Sequence, residues 1–137
     1  MKLFVKIVVI LALVYVGIVV LFESLLGYYQ PANQSTLVIT TTDDDGQKND
    51  RVLSLIEDEG QLYVAANHWP RAWYREALEN PQVGIVHEET SGNYLAVPMT
   101  GADHDRLHTK YAHPVVFLLL TGFPPRYFLR LDPVNVN

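Results

Sequence analysis

Residues 62–83, LYVAANHWPRAWYREALENPQV, hold the pattern that decides the fold. The first five residues are apolar and predict a short strand, and the segment from Pro70 to Asn80 predicts a helix. Proline suits the first turn of a helix, apolar side chains recur four positions apart, and the Asn80-Pro81 pair ends the helix. The residues that follow predict another strand. We therefore expect a strand, a helix and a strand in close succession.

Further short strands are predicted on both sides of this stretch. Together with those above they cover residues 36–42, 51–57, 62–66, 82–87, 94–99 and 127–131. Asp58-Glu59-Gly60 predicts a hairpin turn between the second and third strands, and Ser91-Gly92-Asn93 predicts the turn between the fourth and fifth.

A second helix is predicted at residues 100–111, with Thr100 as N-cap and Asp103 as its capping partner. The apolar run Val115–Leu120 fits either a strand or a helix. Short strands and two helices without regular alternation indicate an α+β domain built on an antiparallel sheet or barrel.

The N-terminal segment has a different composition. Residues 7–22 carry no charge, and with residues 3–6 they would form about 30 Å of helix, the thickness of a bilayer's hydrocarbon core. This predicts an uncleaved transmembrane helix; a signal peptide and a buried helix of a soluble protein are the alternatives. Lys2 and Lys6 precede the span and Glu23 follows it, which favours a globular domain on the outer, periplasmic or extracellular side.

The chain is thus expected to contain a membrane anchor (1–29), a polar linker (30–35) and one globular domain (36–137). The whole chain of 137 residues has a net charge of −5, and without Lys2 and Lys6 the remainder carries −7. An acidic domain repels phosphate backbones, which argues against nucleic-acid binding. The absence of cysteine excludes disulfides, thiolate nucleophiles and sulfur-ligated metals.

Two acidic or histidine-rich patterns resemble metal sites only superficially. His104 and His108 have the spacing of zinc ligands but lack the glutamate of the H-E-x-x-H motif, and exposed polar residues are the preferred interpretation. Asp43-Asp44-Asp45-Gly46 lacks the ligand pattern of a calcium loop and fits a solvated turn better. No metal is therefore predicted, and motifs for serine hydrolysis and for phosphate-binding glycine loops are absent from the sequence.

The junction between the predicted strand and helix is the best candidate site. Helix-terminal N–H groups and the side chains of Asn67, His68 and Arg71 can converge there on an anion or a ring edge. Trp69, Trp73 and Tyr74 can form a stacking wall for a planar ligand. Trp73 and Tyr74 also fit the core of the domain, so that Trp69 is the better ligand candidate.

The order of segments resembles the deazaflavin-dependent nitroreductase family over residues 36–133. The matching elements are Thr40-Thr41-Thr42, Arg51, Ala66-Asn67, Ala72-Trp73-Tyr74, Asn80-Pro81-Gln82-Val83 and the tail from Leu120-Thr121 to Leu131-Asp132-Pro133. The resemblance implies a split β-barrel of antiparallel strands that uses a reduced deazaflavin or a flavin such as FMN. It also implies hydride transfer to a quinone-like or nitroaromatic acceptor. A homodimer is a further prediction.

The resemblance also implies roles for individual residues. Arg51, with Lys48 as the other nearby cation, would meet the cofactor phosphate. Tyr74 would donate a proton near the acceptor. The remaining cofactor-binding positions would be Ala66, Asn67, His68, Trp69 and Trp73.

The loop at Asp43–Asp45 departs from this family pattern, because the family usually has a basic, glycine-rich loop there. Several carboxylates near a phosphate cost several kcal/mol of binding free energy. Each 1.4 kcal/mol lowers the affinity about tenfold. The alternative interpretation is therefore a cofactor-free binding or structural module built on the same barrel.

Overall fold

The computed structural model describes residues 1–28, 35–67 and 72–134. These residues form four helices and seven strands. In chain order they are α1 (Lys2–Tyr28), β1 (Thr36–Thr42), β2 (Lys48–Ser54), β3 (Ile56–Asp58), β4 (Gln61–Ala66), α2 (Ala72–Glu79), β5 (Gln82–His87), β6 (Thr90–Pro98), α3 (Gly101–Lys110), α4 (Val115–Thr121) and β7 (Tyr127–Pro133).

The seven strands form one antiparallel sheet in the order β2-β1-β5-β6-β7-β4-β3. β2 and β3 lie at opposite ends of this order, although only Leu55 separates them along the chain. Two residue steps cover at most about 7 Å, so the two ends of the sheet have to meet. The sheet is therefore curled into a split barrel, and the predicted α+β class is confirmed.

The predicted strand 51–57 is wrong in its bounds, because this segment contributes to both edges of the curled sheet. The segment is divided at Leu55, with Lys48–Ser54 paired to β1 and Ile56–Asp58 paired to β4. The predicted hairpin at Asp58-Glu59-Gly60 is confirmed, with Gly60 at a φ of 78°. A sequence pattern reports which residues are extended, but it does not report that one extended segment serves both edges of a sheet.

The turn between β5 and β6 also differs from the prediction. β6 begins at Thr90, so that Ser91-Gly92-Asn93 lies within the strand, and Glu88-Glu89 makes the turn. Glu88 has a φ of 53°. Serine, glycine and asparagine are typical turn residues and glutamate is not, so the sequence pattern predicted this turn a few residues too late.

The second helix lies where it was expected, but its predicted capping box does not form. Thr100 occupies the N-cap position of α3 and its side chain makes no capping hydrogen bond. Gly101, the next residue, has a φ of 58°, outside the right-handed helical region. The first turn of the helix therefore does not present its N–H groups to the Thr100 hydroxyl in the geometry that a capping box needs.

The main core is built from alternate residues of the strands and from one face of α2. In β1, Leu37, Ile39 and Thr41 point inward and are fully buried, as the two-residue period of a strand requires. The buried apolar members of this core are Leu37, Ile39, Val64, Ala66, Trp73, Tyr74, Ala77, Val83, Ile85, Ala96, Leu129 and Leu131.

A second, smaller core lies under α3. It consists of Tyr63 from β4, Phe128 from β7 and Leu107 from the helix. β4 and β7 are hydrogen-bonded neighbours and are buried on both faces, since their alternate residues belong to the main core. Leu107 is the one residue of α3 that is buried.

The chain divides into two compact units. One consists of Gln30–Ala112 and Pro125–Asn137 and contains the barrel; the other consists of Met1–Tyr29 and His113–Pro124. In the second unit α1 is long and apolar enough to cross a membrane over Lys2–Leu25, with a mean hydropathy of 3.0. The apolar run Val115–Leu120, which fitted a strand or a helix, is helical and packs against α1.

Candidate functional site

The candidate site lies where β4 ends. Ala66, the last residue of the strand, is buried in the main core and lies opposite Tyr127 in the ladder with β7. Asn67 follows, and its Oδ1 accepts a hydrogen bond of 3.0 Å from Nε of Arg126. His68, Trp69 and Arg71 lie outside the described residues.

Arg126 is the functional candidate that the sequence did not reveal. Its side chain is buried, its guanidinium lies 4.9 Å from the ring centroid of Phe128, and a second nitrogen donates to the carbonyl of Tyr111 at 2.6 Å. Burial lowers the pKa of this guanidinium. Among residues 1–28, 35–67 and 72–134 no carboxylate lies within ion-pair distance of it.

The bond from Arg126 orients the amide of Asn67. Because Oδ1 of Asn67 is the acceptor in this bond, its NH₂ group is the part of the amide that can donate to a ligand. The carbonyl of Arg126 in turn accepts a 2.9 Å hydrogen bond from Nε2 of His104 on α3. Strand end, helix α3 and the start of β7 are therefore linked through one buried arginine.

Two predicted site residues of α2, Trp73 and Tyr74, are core residues. Tyr74 stacks on Tyr127 at 5.3 Å with an interplanar angle of 26°, and Trp73 contacts Tyr74 edge-on at 5.8 Å. Burial, and then the neighbouring Tyr127, raise the pKa of the Tyr74 phenol. Tyr74 thus keeps its proton at neutral pH and lies beside the residue that follows Arg126.

The two predicted phosphate-binding cations lie on opposite faces of β2. Arg51 pairs with the fully buried Ile39 and is half-buried on the core side of the sheet, whereas Lys48 is exposed and pairs with Thr42 at the hairpin end. Residues an odd number of positions apart in a strand point to opposite faces. The structure therefore does not bring Lys48 and Arg51 together.

The acidic loop has a structural role in its first residue. Oδ1 of Asp43 accepts hydrogen bonds from the backbone N–H groups of Asp45 at 3.0 Å and Gln47 at 2.9 Å. This is the way in which aspartate stabilises a turn. The solvated-turn interpretation of the loop therefore has direct support at Asp43.

This hairpin end meets the acidic side of α2. Glu76 accepts hydrogen bonds from the hydroxyl of Thr41 and, at 3.3 Å, from the side-chain amide of Asn49. A hydrogen bond with the Asp44 carboxyl raises the pKa of Glu79. Two carboxyl groups in contact resist being ionised together, because their negative charges repel each other. A phosphate would meet the same repulsion, so this end of the barrel is unfavourable for it.

The two histidines of α3 contact each other and the segment before β7. The His104 and His108 rings are 5.8 Å apart and edge-on, and Nε2 of His104 is engaged by the Arg126 carbonyl. Within the part of the chain that the structure describes, no group of three or more His, Cys, Asp or Glu residues is placed to hold a metal ion.

No protein-family model matches the chain, and no curated protein matches its sequence. Solved structures do match its fold. HutZ, the heme storage protein from Vibrio cholerae, has a TM-score of 0.53 and 18% identity, with 76% of this chain and 84% of that chain covered. An FAD-binding protein from Mesorhizobium loti has a TM-score of 0.52 and 15% identity, covering 74% of this chain and 81% of that chain.

A protein from Listeria innocua assigned as a pyridoxamine 5'-phosphate oxidase extends the match further. It has a TM-score of 0.52 and 12% identity, and covers 90% of this chain and 96% of that chain. At such identities the likeness shows the fold. The chain has the split barrel found in these heme-storage, FAD-binding and oxidase-type proteins.

Proposed function

We propose that the barrel binds a deazaflavin or a flavin such as FMN and transfers hydride from it to a quinone-like or nitroaromatic acceptor. The observation that supports this most is the end of β4, where buried Arg126 fixes the amide of Asn67. A fixed amide donor suits the carbonyl-bearing edge of a flavin or deazaflavin ring. α1 would anchor the domain at a membrane, close to lipid-soluble acceptors.

The residues of this chain would bind and orient, while the reduced cofactor supplies the hydride. Arg51, on the core face of β2, would attract the cofactor phosphate. Tyr74, neutral and buried beside Tyr127, could donate a proton to the reduced acceptor. Ala66, His68, Trp69 and Trp73 stay predicted cofactor contacts, and the homodimer and the outer-side location of the domain stay predictions.

A second candidate is a cofactor-free binding or structural module on the same barrel. The acidic hairpin end favours it, because Asp44 and Glu79 already crowd negative charge beside Glu76. A phosphate near this end would meet repulsion from several carboxylates.

The two candidates are separated by titrating the full chain, in detergent, with FMN and with a deazaflavin and following fluorescence anisotropy. We expect binding in the micromolar range. The substitution Arg51→Gln should weaken binding about tenfold, since removing one charge from a phosphate contact costs about 1.4 kcal/mol. Lys48→Gln, which removes an exposed cation from the other face of the same strand, is the matched control and should change affinity less.

The acidic loop offers a test of the second candidate. Asp44→Lys and Asp45→Lys together remove the repulsion, and Asp43 is retained because it holds the turn. Tighter binding in this variant would show a pocket that the loop only weakens. If neither FMN nor the deazaflavin binds to the native chain or to the variant, the oxidoreductase proposal is wrong.

A further inference from the structure

Helix α4 exposes more apolar surface than any described part of the barrel unit. Val115 and Val116 are 72% and 69% exposed, and Leu119 and Phe123 are 50% and 58% exposed. In the described part of the barrel unit, large apolar side chains reach at most 44%, at Val86. An exposed apolar patch on this scale marks a surface that another apolar phase covers.

The segment around α4 has no polar face that would suit it to water. Residues 111–125 contain no aspartate, glutamate, lysine or arginine, and Lys110 and Arg126 flank them. A surface helix of a soluble domain normally alternates an apolar stripe with charged residues. A helix that is apolar all round is buried in protein or lies in lipid.

α4 packs on the apolar helix α1. The rings of Phe117 and Phe22 meet edge-on at 5.9 Å, and a Cβ placed on Gly122 would lie 3.1 Å from a methyl group of Val19. Small residues permit such close helix approach in membranes. The contacts fall between residues 15 and 22 of α1, within the candidate span Lys2–Leu25.

Tyr15 provides the most specific contact. Its hydroxyl donates a 2.9 Å hydrogen bond to the carbonyl of Leu119, in the last turn of α4. Tyr15 lies near the middle of the candidate span. In hydrocarbon a tyrosine hydroxyl and a helix-end carbonyl are each costly when unpaired, so this bond satisfies both.

The two ends of α4 also differ in how their polar groups are paired. At the carboxyl end the Thr121 hydroxyl donates to the Phe117 carbonyl at 2.9 Å, and the N–H groups of Gly122 and Phe123 bond to the Leu118 carbonyl. The amino end begins at Pro114 without a side-chain cap. The carbonyls of Leu118 and Leu119 and the Thr121 hydroxyl are therefore paired at the carboxyl end, which suits a medium without water, while the amino end suits a hydrated interface.

We propose that α4 is a second membrane-inserted segment, which enters one leaflet beside α1 with its carboxyl end deepest. At about 1.5 Å per residue its seven residues cover about 10 Å, which is enough for part of one leaflet and too short to span the bilayer. The partner of the exposed α4 face is thus the acyl-chain region of the membrane. This inference rests on the proposed anchoring by α1.

The absence of cysteine makes a site-specific test direct. Single cysteines at Leu119, Val115, Leu11 and Val86 are labelled with an environment-sensitive fluorophore. The full chain is then reconstituted in phosphatidylcholine vesicles at less than one chain per vesicle, with or without lipids that carry a nitroxide on the acyl chain. All four residues are exposed, so that the fold should tolerate the changes.

We expect the labels at Leu119 and Leu11 to lose about half of their fluorescence or more to acyl-chain nitroxides. The label at Val115 should be quenched best by a shallow nitroxide, and the label at Val86 should not respond. Quenching at Leu11 without quenching at Leu119 would overturn the insertion of α4 and leave the α1 anchor intact. Absence of quenching at both positions would overturn the anchor as well as this inference.

Discussion

The two helices that pack on the barrel, α2 and α3, are held to it by different forces. α2 places three residues, Trp73, Tyr74 and Ala77, in the main core. α3 buries only Leu107, in the smaller core, and is otherwise held by ion pairs and by the hydrogen bond of His104 to the backbone before β7. Apolar burial is insensitive to pH, whereas ion pairs depend on the protonation of their members.

The ionic attachment of α3 centres on one buried carboxylate. Asp58, at the end of β3, accepts hydrogen bonds from Arg106 and Lys110 of α3, and from the Tyr111 hydroxyl at 3.3 Å. The bonds from Lys110 and then Arg106 lower its pKa from 3.8 to about 2. α2 thus resembles a part of the core, while α3 is clamped by charge, and the following substitutions separate the two.

The largest effect is expected for Trp73→Ala, which empties the largest apolar volume that α2 contributes. Truncating a buried tryptophan costs about 3–5 kcal/mol of unfolding free energy. Denaturant unfolding of the full chain in detergent, followed by circular dichroism, measures this loss. Leu78→Ala on the same helix is the matched control, since Leu78 is 42% exposed and should cost less than about 1 kcal/mol. Equal losses for the two variants would show that α2 is not anchored through its buried face.

Asp58→Asn should cause the next largest loss of stability, and we expect that loss to be concentrated in α3. It keeps the shape of the side chain but leaves Arg106 and Lys110 without their shared counter-charge. We expect the melting temperature to fall by several degrees and amide exchange in α3 to accelerate, with exchange in α2 unchanged. Asp105→Asn is the control on the same helix, because the Asp105 side chain is 83% exposed.

The same clamp predicts a pH dependence. The folded-state pKa of Asp58 is about 2 and its ordinary value is 3.8, so in acid the unfolded chain binds the proton first. The stabilisation is therefore complete above about pH 4 and is lost progressively as the pH falls toward 2. Amide exchange in α3, corrected for intrinsic rates, should speed up over this window in the native chain. An Asp58→Asn variant that shows the same pH response would exclude Asp58 as its source.

The comparison also explains what could be predicted from the sequence. α2 was predictable, because its spacing of apolar residues and its Asn80-Pro81 end are local signals. The start of α3 was placed to within one residue, yet its clamp was not visible, since Asp58 and Arg106 are far apart in the chain. The buried arginine of the candidate site was missed for the same reason: Arg126 meets Asn67 only because β7 pairs with β4.

The smallest effect is expected for Glu76→Gln, which tests whether the polar contacts of α2 need charge. Glu76 accepts hydrogen bonds from two neutral groups, Thr41 and Asn49, and a glutamine carbonyl can accept one of them. Losing one such bond costs about 0.5–1.5 kcal/mol, and removing a negative charge beside Asp44 and Glu79 offsets part of it. We therefore expect a change of less than about 1 kcal/mol in detergent unfolding experiments. A loss as large as that of Asp58→Asn would mean that α2, like α3, depends on an ionised carboxylate, and the contrast between the two helices would not hold.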